Sequence, residues 1–151
     1  MRIYKTLIRP VVVYGSETWT LTKSNERALR IFERKVIRRI WGAVREDDGW
    51  RMRSNREIED ILEREDIVRF IKSRRIDWLG HTKRMAENRM PKRILGETII
   101  GGRGRGRPRR RWMQDVIEDL RKMRIAGWWQ EAMNRQRWRQ IVREAKVHPG
   151  L

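Results

Sequence analysis

The sequence contains no cysteine among its 151 residues, which excludes disulfide bonds, thiolate zinc sites and a cysteine nucleophile. No apolar run approaches the roughly 18 residues of a membrane-spanning helix, and the basic positions within residues 1–15 leave no readable secretory signal. Phosphate-binding loops, HExxH and GxSxG motifs are also missing. We therefore expect an intracellular protein, nuclear or cytoplasmic, with no membrane association, metal or cofactor.

Acidic residues are scarce relative to basic ones. Twenty Asp and Glu face 38 Lys and Arg, which gives a formal net charge of +18. Thirty of the basic residues are Arg, whose planar guanidinium binds phosphate at two points and stacks on flat rings. A charge of this size indicates a polyanionic partner, and we expect nucleic acid.

Apolar residues recur every three or four positions along most of the chain, which is the period of an α-helix. A first helix should be kinked or ended near Pro10 and broken at Gly15. The second is the clearest, with Ser24 as candidate N-cap and Gly42 just past its end. Its expected apolar stripe comprises Leu29, Phe32, Val36, Ile40 and Trp41. The sequence predicts an all-α fold of small helical bundle pieces joined by a flexible Arg/Gly-rich linker.

Residues 43–66 reverse the local sign of charge, with nine acidic residues against five basic ones. We expect these acids to pair with basic helices of the same chain, and a partner surface is the alternative. Ser54 and Asp66 are candidate N-caps of two further helices.

Candidate catalytic residues are few. Asp47-Asp48 predicts a polar turn, since a polymerase metal site would need a hydrophobic strand around such a pair and a third carboxylate. His81 and His148 lack companions suited to metal, and we expect a hydrogen-bonded structural role for His81. The sequence predicts no catalytic site and no metal site.

Residues 89–111 break the composition, with nine basic residues and one acidic residue. Their Pro and Gly content disfavours regular structure between about 97 and 111. Apolar residues at helical spacing occur again from Trp112 to Ala145 and are interrupted at Ile125-Ala126-Gly127. The predicted organisation is two helical segments, 1–42 and 43–88, a basic linker, 89–111, and a C-terminal helical segment, 112–151.

The basic linker offers the best binding signal. Arg105-Gly106-Arg107-Pro108 resembles the core of an AT-hook, whose Arg side chains enter the minor groove of AT-rich DNA. Nonspecific phosphate or RNA binding is a second interpretation, and a solvated linker or nuclear-import signal is a third. The candidate nucleic-acid-binding residues are Arg34, Arg38, Lys92, Arg93, Arg103, Arg105, Arg107, Arg109, Arg110 and Arg111.

Aromatic residues are mostly Trp, with eight Trp against two Phe and two Tyr. Four of them fall on apolar helical stripes and are expected in the core: Trp41, Trp78, Trp112 and Trp138. Trp19, Trp50 or one of Trp128-Trp129 is the candidate to stack on an exposed base.

Several blocks of the sequence are distinctive when taken in order. They are Tyr4–Trp19, Phe32–Gly42, Arg75–His81 with Arg84-Met85, Gly106–Trp112, Asp119-Leu120, Arg137-Trp138 and His148–Leu151. Together they resemble the region that follows the palm in reverse transcriptases of LINE-type (non-long-terminal-repeat) retrotransposons. The resemblance covers essentially the whole chain and implies the thumb and C-terminal region of an endonuclease–reverse transcriptase polyprotein.

The resemblance also has departures. The family's palm carboxylates, in a Tyr/Phe-x-Asp-Asp turn with another Asp upstream, have no counterpart here, nor does its endonuclease domain. The Cys/His knuckle of some related C-terminal regions cannot form without Cys. We therefore expect a truncated or decayed copy of an element, or a fragmentary gene model, whose carboxyl end is complete and whose amino end lies inside a longer reading frame.

The resemblance and its departures together imply that the chain is a noncatalytic remnant of an RNA-directed DNA polymerase. In the intact enzyme, helices 1–42 would close on template and primer, and the linker and terminal helices would hold element RNA or target DNA. The remaining polyprotein would be a partner besides nucleic acid. Two alternatives stay open: an independent AT-hook chromatin module, and a helical interaction module whose charge a protein partner neutralises.

Overall fold

The computed structural model describes residues 2–96 and 111–151, and these residues are mostly helical. The chain begins with a π-helical turn, Tyr4–Ile8, and a short 3₁₀ turn, Ser16–Thr18, follows the first α-helix. The α-helices are α1 (Arg9–Val12), α2 (Lys23–Trp41), α3 (Asn55–Ile61), α4 (Ile67–Lys83), α5 (Met90–Gly96), α6 (Trp112–Lys122), α7 (Trp128–Glu131) and α8 (Arg135–Ala145). The strands are β1 (Val44–Glu46) and β2 (Gly49–Arg51).

The two strands correct the all-α prediction. They form an antiparallel hairpin in which Arg45 lies opposite Trp50 and Glu46 lies opposite Gly49. Asp47-Asp48 forms its turn, which confirms the polar turn predicted there. Three residues per strand are too few for an alternating apolar pattern to be recognised, so the sequence does not predict these strands. The fold is therefore mostly helical rather than all-α.

The N-terminal segment shows the effect of Pro10. Proline has no N–H to donate and its ring crowds the preceding turn, and the backbone responds with a π-helical turn before α1. Gly15 then adopts a left-handed conformation with φ of 68° and ends the segment, as predicted.

Helix α2 begins and packs differently from the prediction. Thr22, rather than Ser24, is the N-cap and accepts a hydrogen bond from the Asn25 amide. Gly42 follows its last residue with φ of 67°, as predicted. Leu29, Val36 and Ile40 of the predicted stripe pack against the apolar clusters. The fully buried positions of the helix are Glu33 and Ile37, and Phe32 of the predicted stripe is 38% exposed.

The caps of α3 and α4 confirm the predictions. Ser54 and Glu57 form a reciprocal capping box at α3, and the Asp66 side chain accepts from the Arg69 amide at α4. The acidic residues before α4 also pair within the chain, as expected. These ion pairs are Lys5–Glu63 at 3.0 Å, Arg9–Glu65 at 2.9 Å and Arg30–Asp66 at 3.2 Å.

Helix α4 is central to the packing. Its first half joins Val13 and Leu21 in one apolar cluster, and its second half contributes Ile76 and Leu79 to another. The members from α6 and α8 that share the second cluster are Val116, Leu120, Trp138, Ile141 and Ala145. A third cluster joins Tyr4, Ile37, Ile58 and Leu62. The N-terminal and C-terminal helices therefore meet on opposite halves of α4.

Helix α5 lies in the first part of the predicted basic linker, and the Gly/Arg-rich part that follows it lies outside the described residues. The division into four segments stays a prediction. Within residues 2–96 and 111–151, no helix is both long and apolar enough to cross a membrane.

Candidate nucleic-acid interface

Half of the predicted binding residues lie outside the described residues. They are Arg103, Arg105, Arg107, Arg109 and Arg110, and the AT-hook-like Arg105–Pro108 lies there with them. Arg111, at the start of the described C-terminal part, is exposed and is the N-cap residue of α6. The role of this segment stays a prediction.

The other predicted residues are divided between α2 and α5. Arg34 is half-buried on α2, and Arg38 donates hydrogen bonds to the Arg53 carbonyl at 2.9 Å and to Asn55 Oδ1 at 2.7 Å. Lys92 donates to the Met85 carbonyl at 2.7 Å and pairs with Glu87 at 2.6 Å, whose pKa this contact lowers. Arg93 is exposed on α5. Arg38 and Lys92 thus have partners within the chain.

The structure brings together a different group of basic residues, in an open cleft of about 650 Å³ that we call the basic cleft. One wall is a face of α4 and another is the start of α8, with Glu17 of the 3₁₀ turn at the edge. The lining residues are Glu17, Arg74, Asp77, Trp78, His81, Arg84, Met85, Arg135, Trp138 and Arg139. The α4 members recur every three or four positions, so one helix face presents them together.

Close packing of α4 on α8 forms the floor of the basic cleft. Trp138 is 1% exposed, and its indole Nε1 donates a hydrogen bond to the Ile76 carbonyl at 3.1 Å. The indole lies directly against Gly80, where any side chain would collide with it. Gly80 therefore lets Trp138 reach the backbone of α4, and this contact fixes Arg135 and Arg139 beside the α4 face.

The cations of the basic cleft lack carboxylate partners. Several buried or half-buried Arg side chains elsewhere pair with acids, as in Arg9–Glu65 at 2.9 Å and Arg75–Asp115 at 2.7 Å. Within the described part of the chain, no ion pair forms at the cleft's four Arg residues. Asp77 and Glu17 also line the cleft, so two acids face four permanent cations. The cleft is a concentration of uncompensated positive charge.

The positive charge of the basic cleft affects the protonation equilibrium of Arg84. Arg84 is half-buried, and its Nη1 donates to the Ala132 carbonyl at 2.5 Å. Burial lowers the pKa of its guanidinium, and the positive charges of Arg135 and Arg139 lower it further against the opposing effect of Asp77. Like charges held this close are stabilised by an anion bound between them.

The amides at the start of α8 are already used. The Asn134 side chain is the N-cap of α8 and accepts from the amides of Gln136 at 3.0 Å and Arg137 at 3.1 Å. An anion in the basic cleft would therefore be bound by side chains rather than by the helix terminus.

An aromatic pair lies at the wall of the basic cleft. Trp78 is half-buried and the His81 ring is exposed, with 5.4 Å between the ring centroids and an angle of 34° between the planes. His81 is thus at the surface of the cleft, in place of the hydrogen-bonded structural position expected for it. Flat rings beside guanidinium groups are typical of surfaces that bind nucleic-acid bases and phosphates together.

The remaining Trp residues follow the predictions in part. Trp138 is buried, whereas Trp41, Trp78 and Trp112 are only half-buried. Trp50 is 74% exposed on the hairpin and Trp129 is 52% exposed, which leaves both rings accessible.

No cluster of three or more metal-ligating side chains occurs within residues 2–96 and 111–151. The sequence analysis missed Arg74, Arg84, Arg135 and Arg139 because Arg is frequent throughout the chain. A usable signal was present in the helical spacing of Arg74, Trp78 and His81. The partner helix, however, could be identified only from the structure.

Comparison with known proteins gives one informative match. A protein of Caenorhabditis elegans described as transposon-derived is 24% identical to this chain over 159 residues, covering 95% of the chain. The chain spans about half, 53%, of that protein's length. No protein-family model matches the chain, and no solved structure matches it. The similarity suggests a transposon-related protein.

Proposed function

We propose that this chain is a noncatalytic, nucleic-acid-binding part of a retrotransposon reverse transcriptase. The observation that carries the binding proposal is the basic cleft, where Arg74, Arg84, Arg135 and Arg139 converge without forming ion pairs within the described residues. The guanidinium group of each Arg can bind a phosphate through two parallel hydrogen bonds. The transposon-derived relative supports the origin of the chain, and the sequence resemblance supports its assignment to the region after the palm.

The binding function is tested with the whole chain and a fluorescent oligonucleotide. Replacing Arg135 and Arg139 by Gln removes two cleft cations at exposed positions and is expected to weaken binding by about 10-fold or more, because each phosphate contact contributes an electrostatic increment. Arg121→Gln, whose side chain is 74% exposed on α6 outside the cleft, is the control and is compared with the single variants Arg135→Gln and Arg139→Gln, each of which also removes one charge. Equal losses in the control and cleft variants would show that only total charge matters.

The noncatalytic part is tested by RNA-templated DNA synthesis. We expect no incorporation by the isolated chain, because the palm carboxylates of the enzyme it resembles have no counterpart in the sequence. Robust incorporation that survives purification would contradict this part of the proposal. Equal competition by AT-rich and GC-rich duplexes would in addition count against an AT-hook function of the linker.

A further inference from the structure

An apolar groove of about 350 Å³ adjoins the basic cleft. It is lined by Thr18, Trp78, Met90, Pro91, Ile94, Leu95 and Trp112. Trp78 lines both depressions, and Thr18 in the groove follows Glu17 in the cleft. The basic cleft and the apolar groove therefore meet at Trp78.

The groove is open to solvent although its lining is apolar. Met90 is 62% exposed and Ile94 is 65% exposed, while the Trp112 indole is anchored by donating to the Glu17 carbonyl at 2.7 Å. That hydrogen bond joins α6 to the 3₁₀ turn and holds one aromatic wall in place. The groove thus offers a fixed apolar surface beside a cluster of cations.

We propose that this combined surface binds single-stranded nucleic acid, with phosphates at Arg84, Arg135 and Arg139 and an unpaired base against Trp78, His81 and the apolar groove. The inference rests on the proposed nucleic-acid-binding function and specifies its substrate class. Charge complementarity identifies the occupant as anionic, and the aromatic and apolar walls require that it also present a flat ring. A duplex offers phosphates but keeps its bases stacked and paired, whereas a single strand offers both.

The first arm of the test compares ligands on the whole chain. The probes are oligouridylate and oligothymidylate of about 12 nucleotides, within the usual range of single-strand site sizes, and a duplex of the same length. We expect both single strands to bind more tightly than the duplex, and their relative affinities separate RNA from DNA. A duplex that binds as tightly as either single strand would overturn the inference.

The second arm removes the aromatic surface. Trp78→Leu keeps an apolar side chain and is expected to weaken single-strand binding by about 10-fold, while duplex binding stays unchanged, because stacking contributes only to unpaired bases. Trp78→Phe keeps a ring and should retain most of the affinity. Trp41→Leu is the matched control, since Trp41 is half-buried like Trp78 and lines neither the basic cleft nor the apolar groove.

Two further outcomes keep the test decisive. If Trp78→Leu unfolds the chain, His81→Ala replaces it, since His81 is exposed, and a selective loss of single-strand affinity is again expected. If neither Trp78→Leu nor His81→Ala changes single-strand affinity while the Arg135/Arg139 variant does, the inference is wrong and the proposed function stands. If the Arg135/Arg139 variant binds like the wild type, the proposed function itself fails.

Discussion

Glu33 is a carboxyl group buried to 1% exposure on α2. Its Oε1 accepts a hydrogen bond from the Tyr4 hydroxyl at 2.7 Å, and its Oε2 accepts one from the Ile67 amide at 2.9 Å. Glu33 therefore connects the N-terminal segment to the first turn of α4. A predicted apolar stripe could not include it, because apolar periodicity assigns charged residues to the solvent.

Burial raises the pKa of Glu33 from its ordinary value of 4.5 to about 7, against the lowering effect of its two hydrogen bonds. Between about pH 5 and pH 7 the folded chain keeps a proton that the unfolded chain has lost, so stability falls as pH rises through this window. Glu33→Gln should remove this fall in stability. The free energy of unfolding of the wild type should change by on the order of 3 kcal/mol across the window, because each unit of pKa difference between the folded and unfolded states corresponds to about 1.4 kcal/mol.

The measurement is urea denaturation of the wild type and the variant at about pH 5 and about pH 8. The exposed Glu59→Gln serves as control and should keep the wild-type pH dependence. A Glu33→Gln protein that loses stability with rising pH as steeply as the wild type would show that Glu33 does not carry the effect.

Gly80 is a second residue whose environment determines the effect of substitution. Gly80→Ala would place a methyl group against the Trp138 indole and is expected to cost about 1–3 kcal/mol through overpacking. Gly96→Ala is the matched control, because no atom of the described residues lies within 4 Å of a Cβ placed there. The free energies of unfolding of the two variants measure the difference, and equal values would contradict close packing of α4 on α8.

At the scale of elements, α4 is held to α6 by charge as well as by apolar contact. Arg75, which is fully buried, donates to Asp115 at 2.7 Å and lies 3.6 Å from Asp119. Lys72, 4% exposed, pairs with Glu26 of α2 at 2.8 Å and lies 3.5 Å from Asp119. Burial raises the pKa of Asp119, and the nearby cations oppose that shift. The network links α2, α4 and α6 through buried cations.

Asp115→Asn is expected to destabilise the fold by about 3 kcal/mol, since it leaves a buried guanidinium with reduced compensation. Glu118→Gln, which removes the charge of an exposed pair with Arg121 at 3.7 Å, should cost about 0.5 kcal/mol or less. Thermal unfolding of both variants tests the contrast. Comparable small effects would mean that the buried pair contributes no more than a surface pair.

The sequence predicts the helices better than it predicts their contacts. The caps at Ser54 and Asp66, the turn at Asp47-Asp48 and the end of α2 at Gly42 depend on local chemistry, and the structure confirms them. The N-cap of α2 was predicted two residues late because both Thr22 and Ser24 are good caps. The hairpin was missed because its strands are short and polar.

The candidate site also depends on contacts between helices that the sequence does not predict. The basic cleft depends on α8 crossing α4 through the contact of Gly80 with Trp138, and these residues are 58 positions apart in the sequence. The helical spacing of Arg74, Trp78 and His81 could have indicated the α4 face, but not the helix that packs against it. The predicted binding residues on α2 and α5 include Arg38 and Lys92, which the structure places in contacts within the chain.

At the scale of the whole molecule, the distribution of charge matters more than its total. The net charge is +18, yet three of the nine acids between 43 and 66, namely Glu63, Glu65 and Asp66, pair with Lys5, Arg9 and Arg30. The basic cleft keeps its cations unpaired within the described residues. The presence of four such Arg residues in one cleft is the main reason to propose nucleic-acid binding there rather than on the basic surface in general.

The salt dependence of oligouridylate binding tests this claim most directly. Each phosphate contact contributes about 0.7 to the slope of log affinity against log salt for a single strand, so the Arg135→Gln/Arg139→Gln chain should lose about 1.4 from the wild-type slope between roughly 50 and 200 mM salt. Arg121→Gln should keep the wild-type slope. A double variant whose slope and affinity equal those of the wild type would contradict the assignment of phosphate binding to the basic cleft.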